Sequence, residues 1–318
     1  MNVLILGGTG TISLWIVRHL LALGRTVTVL NRGKSAGLPP GVEQIIADRF
    51  DPAALSAALK GKRFDATIDM LCFTPEQARI LVEALPAPGH LVFCSTVCAL
   101  GFASTVFPVA EDAIPAPTFG YGRDKAAAEG WLTAWSAKAG VPLTIVRPST
   151  TFDERMGILR QLRWDGSAWL ARIRAGLPIA LADSGLGVNQ FMHADDAGRG
   201  FALIAGNAAT HGRIYHLVGE AVTWAHHAQV VVRALGRDVP LIGIPTAILD
   251  RTTIPDDGIR KDIFGFHGHF ADTRLAREVA FAPRIGFAET IARVLPLVKI
   301  PDLVERDGWE DQLIARWG

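Results

Sequence analysis

The sequence has little of what marks several large classes of protein. It contains 3 cysteines (Cys72, Cys94 and Cys98) and no CxxC pair, which excludes a disulfide framework and favours a reducing cytoplasm. Charged residues make up only 20%, and 32 Lys+Arg balance 31 Asp+Glu without a basic run. Phosphate binding needs clustered lysine and arginine, so nucleic acid is not an expected partner.

Long hydrophobic runs are also scarce, although 49% of the residues are hydrophobic. The longest charge-free apolar stretch, residues 91–110, approaches the length of a bilayer span but is interrupted by serine, threonine, glycine and proline. It predicts a buried strand that runs into a loop, and we expect no membrane partner. The apolar run Val3–Leu6 has no basic region before it and ends in glycines, so it predicts no signal peptide.

Short apolar runs alternate with helical patterns through the first half of the chain. The predicted strands are Asn2–Leu6, Val27–Leu30, Val42–Ala47, Ala66–Met70, Leu91–Cys94 and Leu143–Val146. The predicted helices are Ile12–Leu23, Pro52–Lys60, Pro75–Leu85 and Lys125–Ala139. Strands that are apolar on both faces and alternate with helices indicate right-handed crossovers, so we predict a doubly wound parallel α/β sheet.

After Pro148 the apolar runs become shorter and are broken by glycine, proline and polar residues. They predict strands near residues 177–181, 191–192 and 214–218, and helices near residues 195–205, 224–235, 288–295 and 303–317. We therefore predict two domains, a dinucleotide-binding domain over residues 1–150 and a smaller substrate lobe over residues 151–318. The second is expected to be interleaved with the first.

A glycine-rich turn between the first strand and the first helix is the strongest local motif. Gly7 permits a tight turn, and Gly10 allows the backbone to approach a pyrophosphate above the helix N-terminus. Ser13 replaces the third glycine of the usual pattern, but it is small enough for close packing. This context predicts dinucleotide binding, with contacts from Gly7, Thr9, Gly10, Thr11 and Ile12.

The end of the second strand bears on the choice of dinucleotide. An NAD site usually has a carboxylate there, whereas this chain has Asn31 and Arg32. Arg32 can pair with a 2′-phosphate, which favours NADP(H), with NAD(H) as the alternative. Asp48 follows the third strand, where it can accept from the adenine amino group or cap the helix before Pro52.

Tyr121 and Lys125 form the second motif, since a spacing of four places both on one face of a helix. A neighbouring ammonium is expected to lower the pKa of the phenol towards neutrality, where proton transfer is efficient. The other tyrosine, Tyr215, has no such lysine. Ser95 and Thr96 follow a predicted strand, and hydroxyls at the carboxyl end of a parallel strand face the ligand crevice.

Several segments occur in the order found in one known family: Gly7-Gly8-Thr9-Gly10, Asp48-Arg49, Cys94-Ser95-Thr96, Tyr121-Gly-Arg-Asp-Lys125, Val146-Arg147-Pro148 and Phe191-Met192-His193-Ala194-Asp195-Asp196. Together they resemble an extended short-chain dehydrogenase/reductase of the NAD-dependent epimerase/dehydratase group. The resemblance extends to about residue 205. The segments Asn31-Arg32-Gly33 and Ala47-Asp48-Arg49-Phe50-Asp51 also resemble an atypical, reductase-like branch.

The resemblance implies a Rossmann-type fold and a role for each matching residue. Tyr121 is the implied general acid/base, Lys125 holds the nicotinamide ribose, and Thr96 is the catalytic hydroxyl with Ser95 beside it. The implied cofactor contacts include Asp48, Arg49 and Pro148, while Asp195 and Asp196 organise the junction between the lobes. The resemblance also implies a homodimer.

The substrate side is less defined. The resemblance leads us to expect an arginine for a nucleotide-sugar diphosphate where this chain has Asn189; Arg155, Arg160, Arg163 and Arg172 are possible substitutes. The remaining candidate substrate contacts are Thr150, Trp164 and His193. His226-His227 and the pair His267 and His269 lack the partners of a metal shell, so no metal is expected.

Three functions stay open on the sequence. The first is an NAD(P)-dependent oxidoreductase acting on a carbonyl or carbinol carbon of a small sugar-like or keto substrate. The second is an NAD-dependent sugar epimerase or dehydratase that retains its cofactor. The third is a non-catalytic, dinucleotide-sensing or RNA-associated scaffold.

Overall fold

The chain folds into two compact units of unequal length, each made of three separate segments. A computed structural model describes residues 1–85, 87–164, 167–302 and 308–318. The first unit comprises residues 1–151, 194–218 and 270–284, and the second comprises residues 152–193, 219–269 and 285–318. The first long segment ends at Thr151, next to the predicted boundary, but the chain returns to the first unit twice more.

Twelve strands and eleven α-helices are present in the described residues. The strands are β1 (Asn2–Leu6), β2 (Thr26–Asn31), β3 (Glu43–Ile46), β4 (Ala66–Asp69), β5 (His90–Cys94), β6 (Leu143–Pro148), β7 (Thr150–Phe152), β8 (Ile179–Ala182), β9 (Val188–His193), β10 (Arg213–Leu217), β11 (Glu220–Thr223) and β12 (Leu241–Ile244). The helices are α1 (Thr11–Ala22), α2 (Pro52–Leu59), α3 (Pro75–Ala84), α4 (Gly120–Ala139), α5 (Trp169–Arg174), α6 (Ala194–Ile204), α7 (Trp224–Ala234), α8 (Thr246–Leu249), α9 (Thr273–Val279), α10 (Phe287–Val294) and α11 (Gly308–Trp317).

The first unit is built on a seven-stranded sheet in the order β10-β6-β5-β4-β1-β2-β3, with every pair parallel. Val3, Leu4, Ile5 and Leu6 are fully buried, as expected for a strand covered by helices on both faces. The predicted doubly wound α/β sheet is confirmed. Because the strand order reverses direction next to β1, the carboxyl ends of β1 and β4 flank the position where ligands bind in such sheets.

The predicted boundary assigned two elements to the wrong unit. Residues 214–218 were expected in the substrate lobe, but β10 pairs with β6 as the seventh strand of the first sheet. Helix α6 also belongs to the first unit and packs on α1, where a Cβ on Gly198 would lie 2.4 Å from Trp15. Periodicity predicts an element but not its pairing partner, so the sequence pattern could not make this assignment.

The second unit contains the antiparallel pair β11-β9 and the parallel pair β12-β8. Its core combines aliphatic side chains with an aromatic group that includes Trp169, Phe191, Trp224, Phe264 and Phe287. A π-helix, Arg260–Phe264, precedes the loop that carries Phe266.

Helix α11 is held on the second unit by a buried carboxylate. Glu310 is 0% exposed and accepts two hydrogen bonds from Arg160, at 2.9 and 2.6 Å. Arg172 lies 3.3 Å from the same carboxylate. The predicted tail helix over residues 303–317 is present from Gly308, and residues 303–307 lie outside the described part of the chain.

The apolar stretch 91–110 begins in β5, continues into a short 3₁₀ turn at Val97–Ala99, and then has no regular structure up to residue 110. Among the helices described, none combines the length and apolarity needed to cross a bilayer.

Candidate functional site

The turn between β1 and α1 has the backbone of a phosphate-binding loop. Gly7 and Gly8 have φ values of +119° and +87°, and the N–H of Gly7 donates to Leu30 at 2.9 Å. A Cβ on Gly8 would lie 2.6 Å from the side chain of Val29, so only glycine fits there. The turn therefore forms a cradle that is closed to larger residues.

Helix α1 begins immediately after this cradle. Gly10 is the N-cap, and Ser13 accepts a hydrogen bond from the N–H of Gly10 at 2.9 Å. The first turn has no acidic side chain, and the N–H groups of Thr11 and Ile12 have no partner within the helix. Free N–H groups at the positive end of a helix favour a pyrophosphate, and Thr9 lies half-buried beside them.

Asn31 at the end of β2 is already saturated as an acceptor. Its side-chain oxygen accepts from the N–H of Gly33 and from Gln44, both at 2.8 Å, while its nitrogen donates to Gly7 at 3.2 Å. An amide oxygen has two acceptor sites, and both are used. Arg32 is exposed next to it and makes no ion pair or hydrogen bond within the described residues.

The residues after β3 differ from the sequence expectations. The N-cap of α2 is Asp51, which accepts from Ala53 and Ala54, whereas Asp48 accepts from the N–H of Phe50 at 2.9 Å. The alternative role of Asp48 as the helix cap is therefore wrong.

Arg49 is buried in an ion pair. It bonds Asp69 at the end of β4 and donates to the carbonyl of Gln77 at 3.0 Å. Both terminal nitrogens of this guanidinium are engaged within the first unit, where they join the end of β4 to α3. Arg49 is therefore not included among the proposed cofactor contacts.

Tyr121 lies at the start of α4, which begins five residues earlier than the predicted Lys125. The residue is 42% exposed, and its hydroxyl lies near the side chain of Thr96. Thr96 also accepts from the N–H of Cys98 at 3.2 Å. The structure thus brings together the phenol and one of the two hydroxyls that the sequence singled out.

Lys125 is one helical turn from Tyr121 and only 2% exposed. Its ammonium donates to the backbone carbonyls of Cys72 and Cys94, both at 2.7 Å, and lies 4.6 Å from the ring centroid of Phe73. An ammonium held by two carbonyls and an aromatic face is firmly fixed in position.

Burial acts on the phenol in the direction opposite to the one expected from Lys125. It raises the pKa of Tyr121 above its usual range, and Cys98 and Cys94 add to the increase. The side chain of Thr96 opposes this shift without reversing it.

Ser95 is separated from this pair although it precedes Thr96 in the chain. Its hydroxyl donates to Glu129 at 2.5 Å within a buried network that also contains Arg147. Neither Glu129 nor Arg147 was given a role from the sequence. A signal was present, because an arginine inside the apolar run Leu143–Pro148 needs a buried partner.

The candidate substrate residues occupy varied environments. Trp164 is exposed, His193 is buried at the end of β9, and Thr150 is half-buried at the start of β7. Pro148 ends β6 beside Leu217 of β10. Asn189 is buried and donates to the carbonyl of Phe266 at 3.3 Å, so it fastens the loop after the π-helix.

The four arginines considered as diphosphate ligands are all paired with carboxylates in the second unit. Arg160 and Arg172 are buried on Glu310, Arg155 bonds Asp153, and Arg163 lies 3.8 Å from Asp256. Each of these arginines therefore already has a carboxylate partner within the second unit.

Asp195 and Asp196 act inside the first unit. Asp195 lies 2.5 Å from His19 of α1, while Asp196 bonds Arg199 at 2.9 Å and accepts from the N–H of Arg284 at 2.7 Å. These contacts join α6 to α1 and to the last segment of the first unit. Among the described residues, no group of three His, Cys, Asp or Glu side chains is placed to hold a metal.

The sheet, the glycine cradle and the Tyr–Lys pair together define a Rossmann-type, nucleotide-dependent enzyme. Residues 3–217 match the model of the NAD dependent epimerase/dehydratase family. The match covers more than half of the chain, so the chain belongs to this family. It is an oxidoreductase that uses a nicotinamide dinucleotide.

Two curated relatives and one solved structure illustrate the range of similar proteins. The chain is 33% identical over 247 residues to 2'-dehydrokanamycin reductase of Streptomyces kanamyceticus, covering 77% of this chain and 70% of that protein. It is 28% identical over 256 residues to a chloroplast stem-loop binding protein of 41 kDa from Arabidopsis thaliana, covering 76% of this chain and 65% of that protein.

The solved structure is the UDP-glucose 4-epimerase of Thermus thermophilus in complex with NAD. It aligns with a TM-score of 0.72 and 22% identity over 93% of this chain and 98% of that chain. At this identity the similarity shows the fold alone.

Proposed function

We propose that the chain is an NADP(H)-dependent reductase that converts a ketone on a small sugar-like substrate to an alcohol. The observation that carries this proposal is the placement of Tyr121 near Thr96 and one helical turn before the buried, doubly hydrogen-bonded Lys125. A protonated phenol can give its proton to a ketone oxygen, and the reducing direction is supported by the relative from Streptomyces kanamyceticus, which is named a reductase.

Each side chain has a defined task in this mechanism. Bound reduced nicotinamide supplies the hydride. The hydroxyls of Thr96 and Tyr121 hold the ketone oxygen, and Tyr121 transfers its proton to that oxygen as negative charge develops there. Lys125 orients the nicotinamide ribose, and its fixed ammonium stabilises the phenolate left after proton transfer.

The preference for NADP(H) rests on the end of β2. A ribose 2′-hydroxyl needs an acceptor, and the oxygen of Asn31 already accepts two hydrogen bonds. Arg32 offers an exposed guanidinium suited to a 2′-phosphate. Asp48 is proposed to meet the adenine amino group from the end of β3.

The substrate is proposed to lack a nucleotide diphosphate. Arg155, Arg160, Arg163 and Arg172 are neutralised by carboxylates, and Asn189 is committed to the carbonyl of Phe266. The relative from Streptomyces kanamyceticus is named for the reduction of 2'-dehydrokanamycin, which supports a sugar-like ketone without that group.

The cofactor preference is tested by nicotinamide fluorescence. Wild-type protein is expected to bind NADPH more tightly than NADH, and Arg32→Ala is expected to weaken NADPH binding about 10- to 100-fold because one charge-assisted contact is lost. NADH affinity should stay the same, which makes it the internal control. Equal loss for both cofactors would contradict the assignment of Arg32 to the 2′-phosphate.

Turnover is tested with NADPH and a panel of sugar-like ketones. Tyr121→Phe is expected to lower kcat about 100-fold or more because the proton donor is removed, whereas Tyr215→Phe keeps activity. Unchanged turnover in Tyr121→Phe would refute the mechanism. Stoichiometric NAD released from denatured wild-type protein would instead support an epimerase, and failure to bind either cofactor would support a scaffold.

A further inference from the structure

Three side chains spaced four residues apart on α4 face the end of β5. Lys125 donates to the carbonyl of Cys94, and Glu129 accepts from the hydroxyl of Ser95. Tyr121 lies near the side chain of Thr96, the next residue in the chain. A shift of α4 by one residue, about 1.5 Å along its axis, would break both hydrogen bonds and move Tyr121 relative to Thr96.

Glu129 is the member of this stripe that the proposed mechanism does not use. It lies two helical turns from Tyr121, about 12 Å along the helix axis. It is 4% exposed, and its two carboxylate oxygens accept from Arg147 at 2.9 and 2.6 Å. Ser95 donates to the first of these oxygens.

Arg147 extends this contact into the rest of the first unit. It lies on β6, is 2% exposed, and its remaining terminal nitrogen donates to the carbonyl of Glu111 at 3.0 Å. A buried ion pair is costly to desolvate, and apolar side chains of the same size would hold a helix on a sheet as well. In addition, the two parallel hydrogen bonds between Arg147 and Glu129 fix the orientation and register of α4 relative to β6.

We propose that the Glu129–Arg147 ion pair, acting through Ser95, is a positioning device for the reacting hydroxyls. It fixes the register of α4 against the end of β5 and so sets the position of the Tyr121 hydroxyl relative to that of Thr96. Ser95 and Glu129 are then positioning residues that do not touch the substrate. This inference rests on the proposed reductase function for its kinetic consequences, but its geometric content is independent of turnover.

The kinetic test compares Ser95→Ala and Glu129→Gln with Glu310→Gln. Glu310 is a matched control, because it is also a buried carboxylate bonded twice by an arginine, but in the second unit. Ser95→Ala and Glu129→Gln are expected to lower kcat about 10- to 100-fold, with KM and the Kd for NADPH within about twofold. Glu310→Gln should lower Tm and leave kcat per folded molecule unchanged.

Ser95→Ala keeps the ion pair, so it decides the question if Glu129→Gln does not fold. Wild-type kcat in Ser95→Ala, or an equal loss of kcat in Glu310→Gln, would overturn the proposal. If Ser95→Ala and Glu129→Gln lower Tm but leave kcat unchanged, the network has only a structural role and the proposal is likewise overturned.

A second readout does not need turnover. The chain has 2 tyrosines, so Tyr215→Phe leaves Tyr121 as the sole site for incorporated 3-fluorotyrosine and gives a single fluorine NMR resonance. Adding Ser95→Ala is expected to move or broaden this resonance, because the position of the phenol relative to Thr96 changes, whereas adding Glu310→Gln is not. An unmoved resonance in the Ser95→Ala protein overturns the positioning role. If wild-type protein reduces no ketone, the proposed function fails and this spectrum still decides the inference.

Discussion

Cys72 and Cys94 contribute to the candidate site through their backbone carbonyls rather than through their thiols. Both carbonyls accept from Lys125, while both side chains are buried. Burial raises the pKa of the Cys72 thiol to about 12, with Asp69 adding to the shift, and that of the Cys94 thiol to about 11. At neutral pH both side chains are thiols and not thiolates.

Slow alkylation of the folded protein follows from these pKa values. At pH 8 the thiolate populations of Cys94 and Cys72 should be roughly 100- and 1000-fold below those of ordinary thiols. Iodoacetamide labelling followed by mass spectrometry is expected to modify both only after unfolding in urea. Rapid labelling of either residue in the folded protein would contradict the assigned burial.

At the scale of an element, the two ends of α1 offer a matched pair of glycines. Gly8 and Gly24 both have a positive φ, but a Cβ on Gly8 would meet Val29 at 2.6 Å, whereas a Cβ on Gly24 would have open space. The backbone strain of an alanine is common to both positions. The steric conflict is confined to the phosphate cradle.

Gly8→Ala is therefore expected to destabilise the protein more than Gly24→Ala. Strain alone costs about 1 to 2 kcal/mol, and overpacking at Gly8 adds about 1 to 3 kcal/mol. Urea unfolding measures both, and Gly8→Ala should also weaken binding of the nicotinamide cofactor. Equal free energies of unfolding for the two variants would mean that Val29 moves aside freely.

Most strands and helices of the first unit could be predicted from the sequence, because their signals are local. The strands and helices up to β6 lie within a few residues of their predicted positions, except that α4 starts earlier, because buried parallel strands give continuous apolar runs. The Tyr121–Lys125 spacing and the glycine turn are local patterns and were identified directly.

Long-range pairing was not predictable in the same way. The partner of β10, the burial of Arg49 on Asp69, and the contact of Ser95 with Glu129 instead of the reacting centre all depend on residues 20 or more positions apart. A charge in an apolar strand indicates that a partner exists, but no periodicity identifies that partner.

At the scale of the whole molecule, three buried histidines make the free energy of unfolding depend on pH in the acid range. Burial lowers the pKa of His90 to about 4 and the pKa values of His216 and His227 to about 3. Their ordinary value is 6.5, so the unfolded chain binds more protons below that pH. Above pH 6.5 these histidines are neutral in both states and do not oppose folding. Below pH 6.5 they gain protons in the unfolded chain only, so the protein loses stability until the pH reaches their folded pKa values of about 4 and 3.

The free energy of unfolding should therefore fall steeply below pH 6. With three protons taken up, the slope approaches about 4 kcal/mol per pH unit near pH 5, as measured by urea unfolding. His227 is surrounded by Trp169, Phe191, Trp224 and Phe287, so His227→Phe should fit and reduce the slope by about one third. An unchanged slope in that variant would contradict a neutral, buried His227.

The three-segment composition of the first unit has a consequence for synthesis on the ribosome. The edge strand β10 and helix α6 emerge long after residue 151, and the segment 270–284 emerges later still. Until then β6 has an unpaired edge, which is a site for unwanted strand association. The first unit therefore cannot be completed before residue 284 has been translated, by which point most of the second unit has also been synthesised.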